Sequence, residues 1–121
     1  QSVSDTIFVF GSNRAGRHGQ GAAKWAMDHR GAIYGRGEGL QGESYGIPTK
    51  DENIKTLPLW AIAGHVAAFI AFARSRPDLI FELTPIGCGL AGYTPEDIAP
   101  MFSHAPSKVL LPEAVSKILM P

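Results

Sequence analysis

The chain has 121 residues, 45% hydrophobic and 18% charged, which fits one domain around one core and excludes a disordered polymer. Its 11 basic and 11 acidic residues cancel to a formal net charge of +0, so there is no global field to hold a polyanion and no strong non-specific nucleic-acid binding is expected. The single cysteine excludes an internal disulfide.

TIFVF, from Thr6 to Phe10, is β-branched and aromatic without a polar interruption, the pattern of a strand buried on both faces. It runs into GSNRAGRHGQG. The next segment, GAAKWAMDHRG, consists of helix formers and closes on Gly31 as a C-terminal cap. Gly35, Gly37, Gly39 and Gly42 then forbid a regular element before SYGIP, where a short strand from Tyr45 to Ile47 is predicted to stop at Pro48. TKDENIKTLP is a polar loop. Leu59, Ile62, Val66, Phe69, Ile70 and Ala73 recur at helical spacing and predict an amphipathic helix from Leu59 to Arg76, ended by Pro77.

LIFELTPIG is a further apolar strand that passes directly into GCGLAGY. TPEDIAPMF carries a helix start, with Thr94 as cap, Pro95 in the first turn and Asp97 three residues after the cap. KVLLP is the last predicted strand and EAVSKILM a short terminal helix. Strands alternate with helices, which predicts an α/β sandwich whose loops at the strand ends share a crevice. Trp25 and Trp60 are expected in the core or at a subunit contact. The most apolar long window, Leu57 to Phe72, contains Gly64 and His65 and is too short to span a bilayer. With no charged-then-apolar leader at the start of the sequence, a cytoplasmic protein without a membrane partner is expected.

The chain has 14 glycines, all but Gly64 lying between Gly11 and Gly46 or between Gly87 and Gly92. Small residues let backbone N–H groups approach phosphate oxygens, and a loop that opens a helix adds the favourable end of its dipole. Gly11 to His18 has a P-loop-like glycine frame, but Arg17 and His18 stand where that motif needs Lys and Ser or Thr. Gly37, Gly39 and Gly42 match G-x-G-x-x-G, yet lead into ESYGIP and not into a helix, so tight turns and a ligand contact both remain open there. The loop from Gly87 to Gly92, between a strand and a capped helix, favours a bound phosphate or pyrophosphate.

GSNRAGRHGQGAAKWA, PTK at Pro48 to Lys50, the amphipathic helix and IGCGL at Ile86 to Leu90, in this order, resemble one branch of the macrodomains. That branch holds the vertebrate terminal ADP-ribose glycohydrolase macrodomain and the antitoxins that remove ADP-ribose from DNA. VFGSN, GRHG, GAA, SYGIPTKD and IGCGLAGY are also similar to small phage and bacterial proteins. The resemblance implies a single three-layer α/β/α macrodomain-like sandwich over residues 1–121, with a mixed central sheet. It implies a cleft for ADP-ribose or a related nucleotide diphosphate, presented free or on an ADP-ribosylated macromolecule. Gly11, Ser12, Asn13, Arg14, His18, Gly19 and Gly21 would line the distal ribose, together with Thr49. Gly87, Cys88, Gly89, Leu90, Ala91, Gly92 and Tyr93 would cradle the diphosphate.

In the hydrolytic relatives the lysine of the TK motif lies beside the distal ribose, and Lys50 is its counterpart, with Asp51 next to it as the second catalytic candidate. A lysine acts as nucleophile or acid–base group only where burial or a cationic neighbour leaves some free amine. In the vertebrate enzyme an aspartate follows GCGL; Ala91 stands here, which leaves the single-lysine mechanism of the antitoxins, or Asp51 or Glu38 in the aspartate's place. Three readings follow. One is a lysine-dependent ADP-ribosyl hydrolase, another a non-catalytic nucleotide-binding module, and the third a homo-oligomeric interaction protein joined through the apolar helix. Cys88 lacks a partner His or Asn at any motif spacing, and His18, His29, His65 and His104 show no metal spacing, so neither a thiol nucleophile nor a metal or cofactor is expected.

Overall fold

The computed structural model describes residues 5–89 and 91–121. Their strands form a mixed five-stranded sheet in the order β2-β3-β1-β4-β5. The elements are β1 (Thr6–Asn13), α1 (Gly21–His29), β2 (Gly39–Gln41), β3 (Ser44–Lys50), α2 (Leu59–Ser75), β4 (Ile80–Leu83), α3 (Pro95–Ile98), a 3-10 turn (Ala99–Phe102), β5 (Val109–Leu110) and α4 (Glu113–Leu119). β1 is parallel to β3 and β4, β4 is parallel to β5, and β2 is antiparallel to β3.

The apolar run of β1 dictates three layers. Successive strand side chains point to opposite faces, so Ile7 and Val9 join the larger core with Ile62, Val66 and Phe69 of α2 and Phe102 of the 3-10 turn. Phe8 and Phe10 face the other way, where Ala23 and Ala26 of α1 and Ala32 cover them. The residues predicted as the buried stripe of α2 lie inward, Leu59 only in part. The capping box is present: the Asp97 N–H donates to Thr94 Oγ1 at 3.3 Å and the Thr94 N–H to Asp97 Oδ2 at 3.1 Å.

The strands differ from the sequence expectation in their bounds, β4 covering only Ile80–Leu83 of LIFELTPIG and β5 only Val109–Leu110 of KVLLP. β1 continues past Phe10, because Gly11 and Ser12 pair with Ile47 and Pro48 of β3 and so keep ladder partners. β3 runs through Pro48, which lies beyond the last residue paired to β2, where one edge of the strand is open and a missing N–H is tolerated. β2 was not expected in a glycine-rich segment; its three residues are held by antiparallel pairing to Ser44–Gly46. Neither tryptophan belongs to a core: Trp25 is 42% exposed and covers Phe8 from outside with ring centroids 4.7 Å apart, and Trp60 is 79% exposed.

The middle glycines allow two backbones to cross. A Cβ on Gly37 would lie 2.3 Å from the Asn13 carbonyl oxygen, and one on Gly16 would lie 2.3 Å from the Gly35 carbonyl carbon. The Gly35 N–H donates to the Gly16 carbonyl at 2.8 Å, and the Ser12 hydroxyl donates to the Gly37 carbonyl. Gly64 is the opposite case, since a Cβ there meets nothing within 4 Å. Gly37→Ala should therefore cost about 1–3 kcal/mol through overpacking, while Gly64→Ala should stabilise the protein by about 1 kcal/mol by restoring helix propensity. Urea unfolding of the two variants checks the opposite signs.

Candidate functional site

β1, β3 and β4 are parallel, so their C-terminal ends lie on one edge of the sheet. From β1 the chain passes over one face through α1 to reach β3, then over the other face through α2 to reach β4 on the far side of β1. The connection leaving β4 runs to α3 and the 3-10 turn, whose Ile98 and Phe102 join the core on the α2 face, so it diverges from the connection leaving β1 toward α1 and a crevice opens between the two, the usual ligand position in such sheets. The two glycine loops meet there. A Cβ on Gly11 would lie 3.7 Å from the Gly87 nitrogen.

The resulting cleft encloses about 820 Å³. Gly11, Ser12 and Asn13 line it from β1, Gly19 and Gly21 from the first loop, Thr49 and Lys50 from the end of β3, and Gly87, Cys88, Gly89 and Ala91 from the second loop. Gly21 to Ala23, the first turn of α1, also line it, and Gln20 makes no side-chain cap bond to that turn. Their N–H groups are the donors a helix start leaves unsatisfied. Among the described lining residues, Arg17 and Lys50 are cationic and none is acidic. An uncapped helix start, two cations and no carboxylate make the cleft suited to an anion.

Local bonds hold the lining in place. The Asn13 amide closes the first loop on itself, donating to the Arg17 carbonyl at 2.9 Å and accepting the Arg17 N–H at 2.9 Å. The Thr49 hydroxyl donates to the Ser12 carbonyl at 3.3 Å, which joins the ends of β1 and β3. The second loop is tied by the Tyr93 N–H to the Gly87 carbonyl at 2.8 Å and by the Gly92 N–H to the Gly89 carbonyl at 3.0 Å.

Five residues grouped with this site in the sequence lie outside the lining. Arg14 turns to α2, where Nε and Nη2 each lie 3.3 Å from His65 Nε2, while His65 Nδ1 meets Glu38 Oε2 at 2.8 Å. Arginine only donates, so the His65 proton sits on Nδ1 and points at the carboxylate. His18 is 0% exposed, with Nε2 3.1 Å from Gln41 Oε1 and its ring edge-on to Phe10. Asp51 folds its carboxylate onto its own turn, and Gly92 is exposed beyond the cleft. Tyr93 packs on the main core and its hydroxyl donates to the Leu57 carbonyl at 2.8 Å. Neither Glu38 nor Asp51 lines the cleft. Leu90 lies outside the described residues.

The structure adds residues that spacing did not reveal. Arg17 and Gln20 come from the glycine-rich first loop, Tyr34 and Ile54 from two other connections, and Thr84 and Pro85 from the end of β4. Of these, Arg17 stands in the sequence beside Arg14 and His18 as either a phosphate contact or a solvated side chain, and of those three it is the one that lines the cleft.

No protein-family model, curated protein or solved structure matches this chain. Fold and cleft define it by class: an α/β protein with a mixed sheet and a basic, glycine-lined crevice at its strand ends. Among the described residues no helix is long and apolar enough to cross a membrane.

Cys88 lines the cleft, but its environment opposes nucleophilic chemistry. Burial first, then the carboxylates of Asp97 and Glu96, push the thiol up from its ordinary value, which keeps it protonated at neutral pH. Alkylation by iodoacetamide near pH 8 should be slower than that of a free cysteine and should accelerate as pH rises. A rate at or above the free thiol's would contradict this environment.

Proposed function

We propose that the cleft binds ADP-ribose or a related nucleotide diphosphate. The observation that carries this reading is the meeting of both glycine loops and the uncapped start of α1 in one crevice with Arg17 and Lys50 and no described carboxylate. Backbone N–H groups brought close by small residues suit phosphate oxygens, and the cleft volume lies within the range of small-molecule sites. The macrodomain-like arrangement of the same motifs supports ADP-ribose over a simple phosphate.

Lys50, half-buried at the end of β3 and lining the cleft, is the group available to assist cleavage of an ADP-ribosyl linkage. A binding module without turnover is the second reading. Ala91 favours it, since it lines the cleft where the vertebrate hydrolase carries an aspartate, and neither Asp51 nor Glu38 reaches the lining in its place.

Calorimetric titration with ADP-ribose, with ADP and AMP as controls, tests the binding. Gly89 is exposed and a Cβ there meets nothing within 4 Å, so Gly89→Glu should fold normally and bring a carboxylate to the proposed diphosphate position. Binding by the wild type that falls at least about tenfold in the variant is expected, a difference of about 1.4 kcal/mol. No heat at millimolar ADP-ribose would remove this ligand. Release of ADP-ribose from a modified protein or oligonucleotide, lost in Lys50→Ala while binding persists, would assign turnover; absence of release by the wild type leaves the binding module.

A further inference from the structure

We propose that Tyr34 and Ile54 form two apolar jaws that take the flat nucleoside part of the ligand, and that Ile54 is held in its place by a strained backbone. The inference rests on the nucleotide reading of the cleft. Among the described residues, these are the two exposed large hydrophobic side chains that line it, 61% and 38% exposed. The remaining lining is mainly glycine, alanine and small or polar residues suited to phosphates. A phosphate has no use for exposed aromatic and branched aliphatic surface, whereas a base or ribose presents a weakly polar face that gains by covering it.

Ile54 is the one non-glycine residue among those described with a positive φ, 63°. A β-branched side chain strongly disfavours that conformation, and a turn needing only to reverse the chain would place Gly or Asn there. Four hydrogen bonds enforce it. Asp51 Oδ1 accepts the Asn53 N–H at 2.8 Å and the Lys55 N–H at 3.0 Å. The Asp51 N–H donates to the Lys55 carbonyl at 2.8 Å and the Ile54 N–H to the Asp51 carbonyl at 3.1 Å. Ile54 belongs to neither hydrophobic core, so core burial does not compensate the strain. Its visible result is a branched apolar side chain placed at the cleft.

Tyr34 has a parallel support. Its ring stands edge-on to the buried His18 ring at 6.4 Å, and Gln41 Oε1, which meets His18 Nε2 at 3.1 Å, also accepts the Ile33 N–H at 2.8 Å. The backbone just before Tyr34 and the ring beside it are thus tied to one buried amide. His18 and Asp51 act as positioning residues, each holding one jaw from outside the lining.

Titration of the ligand-binding variants with ADP-ribose, beside thermal melting of the ligand-free proteins, tests the proposal. Ile54→Gly should melt above the wild type, because the strain is relieved, and yet bind about tenfold more weakly, because the apolar contact is gone. Tyr34→Ala should also weaken binding about tenfold and Tyr34→Phe should restore it to within about twofold, since the ring and not the hydroxyl makes the contact. Asp51→Ala should weaken binding like Ile54→Gly but melt below the wild type, and Asp51→Asn, which keeps the acceptor oxygen, should recover affinity. Unchanged affinity in Ile54→Gly and Tyr34→Ala, or no rise in the melting temperature of Ile54→Gly, overturns the jaws while leaving the nucleotide reading intact. Absence of ADP-ribose binding by the wild type overturns both.

Discussion

β1 has no hydrophilic face, and the rest of the architecture follows from that. A strand apolar on both sides must be covered on both sides, so α1 lies over Phe8 and Phe10 and α2 over Ile7 and Val9. Parallel neighbours on both edges then require crossover connections, and the crossovers leave from the same end of the sheet toward opposite faces. The crevice at the ends of β1 and β4 is the space between the connection from β1 to α1 and the one from β4 to α3, which joins the core on the α2 face. The cleft is therefore a consequence of how the core is buried.

Within that space, glycine serves two different needs. At Gly16 and Gly37 a side chain has no room, because the first loop and the segment before β2 cross backbone to backbone. At Gly19 and Gly89 a Cβ would meet nothing, so the interior packing does not demand glycine there. Gly19 and Gly89 line the cleft, where the missing side chain leaves the backbone N–H groups open to approach. The middle glycine block, which resembles a dinucleotide fingerprint by spacing, belongs chiefly to the first kind.

The charges are sorted in the same way. Arg14, Glu38 and His65 satisfy one another against α2, and Asp51 is consumed by its turn, where N–H groups of Lys55 and then Asn53 hold its carboxyl below the usual carboxylate range. With the nearby carboxylates occupied elsewhere, the lining keeps Arg17 and Lys50 unopposed by a described acidic residue. A neutral chain can thus present a locally basic site.

The α/β class, the buried first strand, α2 and its inward stripe, the capping box at Thr94 and the proximity of the two glycine loops were legible in local pattern, because each depends on residues close in sequence or on the simple alternation of strand and helix. The extension of β1, the passage of β3 through Pro48 and the existence of β2 were not, since pairing partners and not local propensity supply those hydrogen bonds. The same distinction separates Gly87 to Gly89, found from the strand-to-loop transition, from Tyr34 and Ile54, whose segments carry no motif. By itself the sequence determined which stretches must be buried and where backbone flexibility concentrates, because apolar periodicity and glycine are local properties. Only the tertiary structure decided that Arg14, His18 and Asp51 lie outside the cleft lining and that Arg17, Tyr34 and Ile54 belong to it, because a side chain's direction depends on the packing of segments distant in the chain.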